Sequence, residues 1–145
     1  MWKWNVRTNL DDSNVSGQPP ALFLPTSNVK HALVSPGCQI SGTVENSILS
    51  PGVMVEEGAI VRDSIIMNGT LIRRGSVLNR VIVDKGVEIG AGAEIGVGET
   101  SGTDLSVIGK EVRIGDHAHS GKNVFINHGR VIEPNQRIES GRVIQ

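Results

Sequence analysis

From Ile108 onward the chain sets Ile108, Ile114, Ser120, Ile126, Ile132, Ile138 and Ile144 at intervals of six without a miss. A period held over so many cycles admits few folds, because every cycle must repeat one local structure and stack on the last. A related period runs upstream, where "VKHALV" from Val29, "VENSIL" from Val44, "VRDSII" from Val61 and "LNRVIV" from Leu78 align at offsets of 15, 17 and 17. Each of these cycles divides into three segments of five or six residues, with glycine-bearing turns such as "SPGVM" and "DKGVE" between them. A helix would need apolar residues three and four apart, and it tolerates neither recurrent glycine nor this density of Val and Ile. Glycine makes up 18 of the 145 residues and aromatics only 3%, so the core must come from small branched aliphatics beside many tight corners. The pattern predicts an all-β chain, a single-stranded left-handed parallel β-helix of about six coils in which three hexads close one triangular turn.

The repeat places an N-terminal arm or linker at 1–28 and the β-helix at 29–145, interrupted by a loop at 96–104 ("GVGETSGTD") ejected from one corner. Trp2 and Trp4 either cap the first coil or belong to an arm ordered by a neighbouring domain. A net charge of −1 with no basic tail gives no electrostatic reason to expect nucleic acid or an anionic membrane as partner. No apolar run is long enough to span a bilayer and no signal-peptide pattern opens the chain, so a cytoplasmic site is expected; the lone Cys38 agrees with a reducing compartment.

Strict alternation along each strand, counted from the hexad's leading residue, sends Leu33, Ile48, Ile65 and Val81 inward together with Ser35, Ser50, Met67 and Val83. It leaves Val34, Leu49, Ile66 and Ile82 as an outward column, apolar in every coil, whereas the other two outward columns are mixed: Gln39, Met54, Leu71, Glu88 and Thr43, Ile60, Val77, Glu94. A continuous apolar stripe on one face is expected to be an interface, with a homo-oligomer as the natural partner.

Charged residues fall at corners. Glu56 and Glu57 are expected to stack against Arg73 and Arg74, and Glu45 against Arg62, as exposed ion pairs worth at most about 1 kcal/mol each. The alternative is an anion or effector site built from Arg62, Arg73, Arg74, Arg80 and Lys85, since Arg grips phosphate and carboxylate bidentately. His117, His119 and His128 are candidates for the general base of an acyltransferase, or for a three-histidine zinc site, with His117 and His119 alternating onto one side of their strand. No metal site is expected in this chain, and His31 is a corner residue without a role.

Pro19 and Pro20 with "ALF", followed by "GTVENSIL", "RDSIIM" and "NRVIVDKGVEIG", resemble the C-terminal β-helix of glucose-1-phosphate adenylyltransferase (ADP-glucose pyrophosphorylase) over roughly Pro19 to Gly90. "WKWNVRT" near the start is similar to the segment joining that family's two domains. The resemblance implies an enzyme that joins ATP to glucose 1-phosphate, releasing pyrophosphate and ADP-glucose for glycogen or starch synthesis. In that family a preceding nucleotidyltransferase domain does the chemistry. Its "GGxGTRLxPLT" loop is absent here, and Asp11 and Asp12 lie in a polar stretch rather than a βαβ metal site. This chain alone is therefore expected to be inactive and to hold no cofactor, with Mg²⁺ and ATP belonging to the catalytic domain. The resemblance further implies oligomerisation, contact with a nucleotidyltransferase domain or subunit, and a sugar-phosphate or organic-acid effector. Arg62, Arg80 and Lys85 match the family's pattern, while Arg73 and Arg74 replace its more usual "IGEG" corner.

Overall fold

The computed structural model describes residues 17–98 and 104–145. Twenty-one short strands, counted as β1–β21 along the chain, form three parallel sheets of seven, and every third strand belongs to the same sheet. The first sheet begins with Leu22–Phe23 and Gln39–Ile40, the second with Asn28–Lys30 and Thr43–Glu45, and the third with Leu33–Val34 and Ile48–Leu49. This is a parallel β-helix with seven rungs per face rather than about six coils, and no helix occurs among the described residues. Its first rung starts at Leu22, ahead of Val29, where the repeat becomes visible in the sequence. Trp2, Trp4, Asp11, Asp12 and most of the 96–104 loop lie outside the described residues.

The interior is a stack of aliphatics. Ile40, Val55, Ile72 and Ile89 from the first sheet meet Val44, Val61, Leu78 and Ile95 from the second, all buried. The leading residues Ile108, Ile114, Ser120, Ile126, Ile132 and Ile138 are likewise inside. Between the third and first sheets the chain turns on pairs such as Pro51–Gly52 and Asn68–Gly69, whose glycines sit at φ 74° and 67°, a conformation that strains any other residue.

The two mixed columns face outward as expected. On the third sheet the expected register is one residue off. Ile65 pairs with Ile82 and Ile66 with Val83, so Leu33, Ile48 and Ile65 point out while Val34, Leu49 and Ile66 point in. Leu49 and Ile66 are 0% exposed and Val34 packs half-buried against the core, whereas Ile65 is 38% exposed. Ser35, Ser50 and Met67 lie at the following corner, partly exposed. Val81, Ile82 and Val83 are placed as expected, in, out and in.

The cause of the offset is the corner between the second and third sheets. Leu49 follows Val44 and Ile66 follows Val61 by five positions rather than six, and the step is shortened by a residue at positive φ: Asn46 at 53°, Asp63 at 49° and, in the next coil, Arg80 at 52°. The inward slot after each corner is filled by a polar residue in two successive coils, Ser47 and Ser64, both nearly fully buried. Their hydroxyls satisfy backbone groups that the bend leaves open. Ser47 Oγ donates to Glu45 O at 2.7 Å and accepts from Ser64 N–H at 3.1 Å; Ser64 Oγ donates to Arg62 O at 2.6 Å and accepts from Val81 N–H at 3.2 Å. Buried serine is thus fully bonded, as burial of a hydroxyl requires.

Candidate functional site

The outward row of the third sheet consists of Leu33, Ile48, Ile65, Ile82, Val107, Phe125 and Val143, paired in register from coil to coil. All seven are apolar. Leu33 is 70% exposed, Val143 58% and Phe125 43%, while Ile82 and Val107 at the centre are half-buried, so the other described residues leave the row uncovered along most of its length. At the usual spacing of neighbouring strands it runs for roughly 29 Å, and a face of one hexad is about 20 Å wide, giving about 600 Å² per copy. Twice that area reaches the lower bound of stable protein interfaces, about 1,200 Å² in total.

Charged corners border the row on both sides. On one, Lys30, His31, Glu45, Asn46, Arg62 and Asp63 surround a shallow depression, where Arg62 Nε donates to Glu45 Oε2 at 3.0 Å and Asn46 Nδ2 donates to Asp63 Oδ1 at 2.9 Å. On the other, Lys85 and Lys110 stand along a glycine-lined cleft of about 670 Å³ with Asn68 and Gln39. An apolar centre with a polar rim is the usual anatomy of a protein interface.

Of the four residues expected to form the association stripe, only Ile82 faces outward; Val34, Leu49 and Ile66 belong to the core. The residues that replace them, Leu33, Ile48 and Ile65, are their immediate neighbours. The offsets of 15, 17 and 17, applied from Leu33, lead directly to Ile48, Ile65 and Ile82, so the repeat groups these four in one column without saying whether that column or its neighbour faces out.

The five cations are not brought together. Arg62 and Arg80 stand at the corner after the second sheet, Arg73 and Arg74 at the corner after the first, and Lys85 at the corner after the third. Arg62 is paired with Glu45 as expected. Arg73 pairs with Glu88 rather than with Glu56, through an Nε–Oε1 bond of 2.8 Å, and this hydrogen bond with the charge behind it raises the guanidinium's pKa further. Glu56 instead accepts from the Arg74 backbone N–H at 2.8 Å. The five residues expected to form an anion site are therefore divided among three corners of the coil stack.

The histidines are also dispersed. His117 occupies an exposed corner at φ 57°, so His117 and His119 do not share a strand side. His119 lies on the second sheet's outer row, its Nε2 3.8 Å from Glu94 Oε2, and His128 is exposed at the corner after the third sheet. Among the described residues no three His, Cys, Asp or Glu side chains converge as a metal-ligand set. No helix among them is long and apolar enough to cross a membrane. Cys38 is buried, its thiol pKa pushed up by loss of water, and it donates to Ser50 O at 3.2 Å.

Comparison with known proteins agrees with this architecture. The family model described as "GlmU-like, C-terminal hexapeptide" matches residues 19–104. Glucose-1-phosphate adenylyltransferase of Corynebacterium kroppenstedtii is 51% identical over 57 residues, 39% of this chain and 13% of that protein. The enzyme of the same name from Acetivibrio thermocellus is 52% identical over 40 residues, 27% of this chain and 9% of that protein. The matched stretch is thus a small fraction of these relatives' length. Among solved structures, the acetyltransferase domain of PglB from Neisseria gonorrhoeae in complex with acetyl coenzyme A superposes with a TM-score of 0.59 at 23% identity, covering 87% of this chain and 54% of that one. PerB from Caulobacter crescentus in complex with CoA and GDP-perosamine gives 0.61 at 17% identity, covering 88% and 53%. At such identities the likeness is one of fold.

Proposed function

The chain belongs to the GlmU-like C-terminal hexapeptide family, and from that premise we propose that it is the association and regulatory module of a glucose-1-phosphate adenylyltransferase-like protein, without catalysis of its own. It joins copies of itself, or a nucleotidyltransferase partner, through the outer face of the third sheet. ATP, glucose 1-phosphate and Mg²⁺ are bound by the nucleotidyltransferase part, and ADP-glucose formation for glycogen or starch is the setting in which the module works. The observation that carries the reading is the all-apolar outer row on one face, where strand propensity alone would have given three similar faces. The test is molar mass by light scattering across concentration for the native chain and for Ile48→Lys with Ile65→Lys. The native chain is expected to be oligomeric and the double variant to fall to monomer mass with its β-sheet circular dichroism intact. A native monomer at all concentrations, or an unchanged mass in the variant, contradicts the reading.

One observation favours a second reading. His119 beside Glu94 is a histidine with an acid at hand, the arrangement a general base for acyl transfer uses. Acetyl transfer from acetyl coenzyme A to a panel of sugar and amine acceptors, lost in His119→Ala, would support this reading over association alone. No turnover in the native chain removes it.

A further inference from the structure

The two ends of the β-helix differ. In the first coil the strands Leu22–Phe23, Asn28–Lys30 and Leu33–Val34 each stand at the margin of their sheet and pair on one side only. Their inward residues are Phe23, Val29 and Val34, in register with Ile40, Val44 and Leu49, which are all fully buried. Phe23 is nevertheless 50% exposed, and Val29 and Val34 are half-buried. Leu22 and Leu24, on either side of Phe23, are exposed as well. In the last coil, whose strands are margins too, Ile132 and Ile138 are only 2% and 5% exposed. Ending the stack therefore does not by itself bare the inward column; it is the first coil whose core the other described residues leave open. Solenoids meet such an end, with its open strand edges, by capping it.

The chain's own first residues lead to this end. Gly37 N–H donates to Pro19 O at 2.6 Å, the bond that Gly52 and Gly69 make to Pro36 O and Pro51 O in the following coils. Pro19 thus occupies a corner one step ahead of the first coil, and residues 1–16 join the fold beside the open end. Within them Trp2, Trp4 and Val6 alternate with Lys3, Asn5 and Arg7, so an extended segment would offer one apolar side and one polar side. Trp4 lies thirteen positions ahead of Gly17, a reach of up to roughly 40 Å, against about 20 Å for the width of one face.

We propose that the segment carrying Trp2, Trp4 and Val6 docks on the open end of the first coil, its indoles covering Phe23, Val29 and Val34. Tryptophan suits this place because it brings a large apolar area together with an N–H for the open carbonyls that a strand margin presents. The contact is made within one chain, so it stands apart from the outer row of the third sheet and from association through it.

Tryptophan emission of the full chain tests the proposal, because the sequence has no tyrosine and no tryptophan outside this segment. The emission maximum is expected to lie to the blue of that of the urea-unfolded chain and to be shielded from acrylamide. Phe23→Asp is expected to move it to the unfolded position with β-sheet circular dichroism kept, whereas Val131→Asp in the last coil leaves it in place. The blue position is also expected at every protein concentration and in Ile48→Lys with Ile65→Lys, so failure here is distinct from failure of the association reading. Emission at the unfolded position in the native chain overturns the proposal. So does a blue shift that grows with concentration, which would mean that a second copy covers the end, or one that Phe23→Asp leaves unchanged. Should Phe23→Asp fail to fold, amide hydrogen exchange decides. Trp2→Ser with Trp4→Ser must then speed exchange at Leu22, Leu24 and Asn28, which bond to the second coil, by about tenfold or more, as loss of buried aromatic area implies, while Phe125 and Asn127 keep their native rates. Equal rates in that variant and the native chain overturn the proposal.

Discussion

On the first sheet the outer row reads Leu22, Gln39, Met54, Leu71, Glu88, Arg113 and Val131, and on the second it reads Asn28, Thr43, Ile60, Val77, Glu94, His119 and Arg137; the third sheet carries seven apolar residues in the same position. All three faces have inward rows made mainly of aliphatics and the same coil-to-coil pairing, so closing the β-helix does not demand an apolar outer row. The first two sheets show that polar and charged residues are accepted there. The third sheet therefore carries a second hydrophobic pattern in addition to the one that closes the coils, and that pattern is what the proposed association face rests on.

The comparison breaks most readily at the inner and outer rows of the third sheet, which are adjacent in sequence and alike in chemistry. Ile66→Ala, inside, is expected to cost about 2–5 kcal/mol in denaturant unfolding, as large-to-small core changes do. Ile65→Ala, outside, is expected to cost under about 1 kcal/mol under monomeric conditions. Equal costs would mean the register is not the one described. A smaller but sharper effect comes from Ser64→Ala, which removes the hydroxyl bonded to Arg62 O and Val81 N–H; about 1–3 kcal/mol is expected, against near neutrality for Ser50→Ala at a partly exposed corner. The smallest effect concerns the rim. Glu45→Gln breaks the exposed pair with Arg62 and should change stability by at most about 1 kcal/mol, less still in high salt. A loss well beyond that would show that the corner, not the apolar row, dominates this side of the face.

Much of the fold was legible because stacking repeats one spacing many times. Ile108 to Ile144 declare their hexads, and the first two outer rows follow from them by counting. The third face resisted for a physical reason. "SIL" and "SII" place two aliphatics side by side after a serine, so hydropathy cannot say which points in, and strict alternation fails where a residue at positive φ shortens the corner. Only the buried serine ladder fixes the choice, and a serine between apolar residues looks in sequence like a surface position. The cation cluster dissolved for a related reason: Arg62, Arg74 and Lys85 are all corner residues, but which of three corners each occupies depends on whether the preceding step has five residues or six.

Which face meets a partner can be read most directly by cysteine cross-linking of the assembled protein in a Cys38→Ala background. Ile65→Cys, Met54→Cys and Ile60→Cys each place one thiol on the outer row of the third, first and second sheet respectively. The account predicts a disulfide-linked or maleimide-linked dimer for the Ile65 variant and little for the other two. Cross-linking at Met54 or Ile60 equal to that at Ile65, or none at Ile65 in a protein that remains oligomeric, would contradict it.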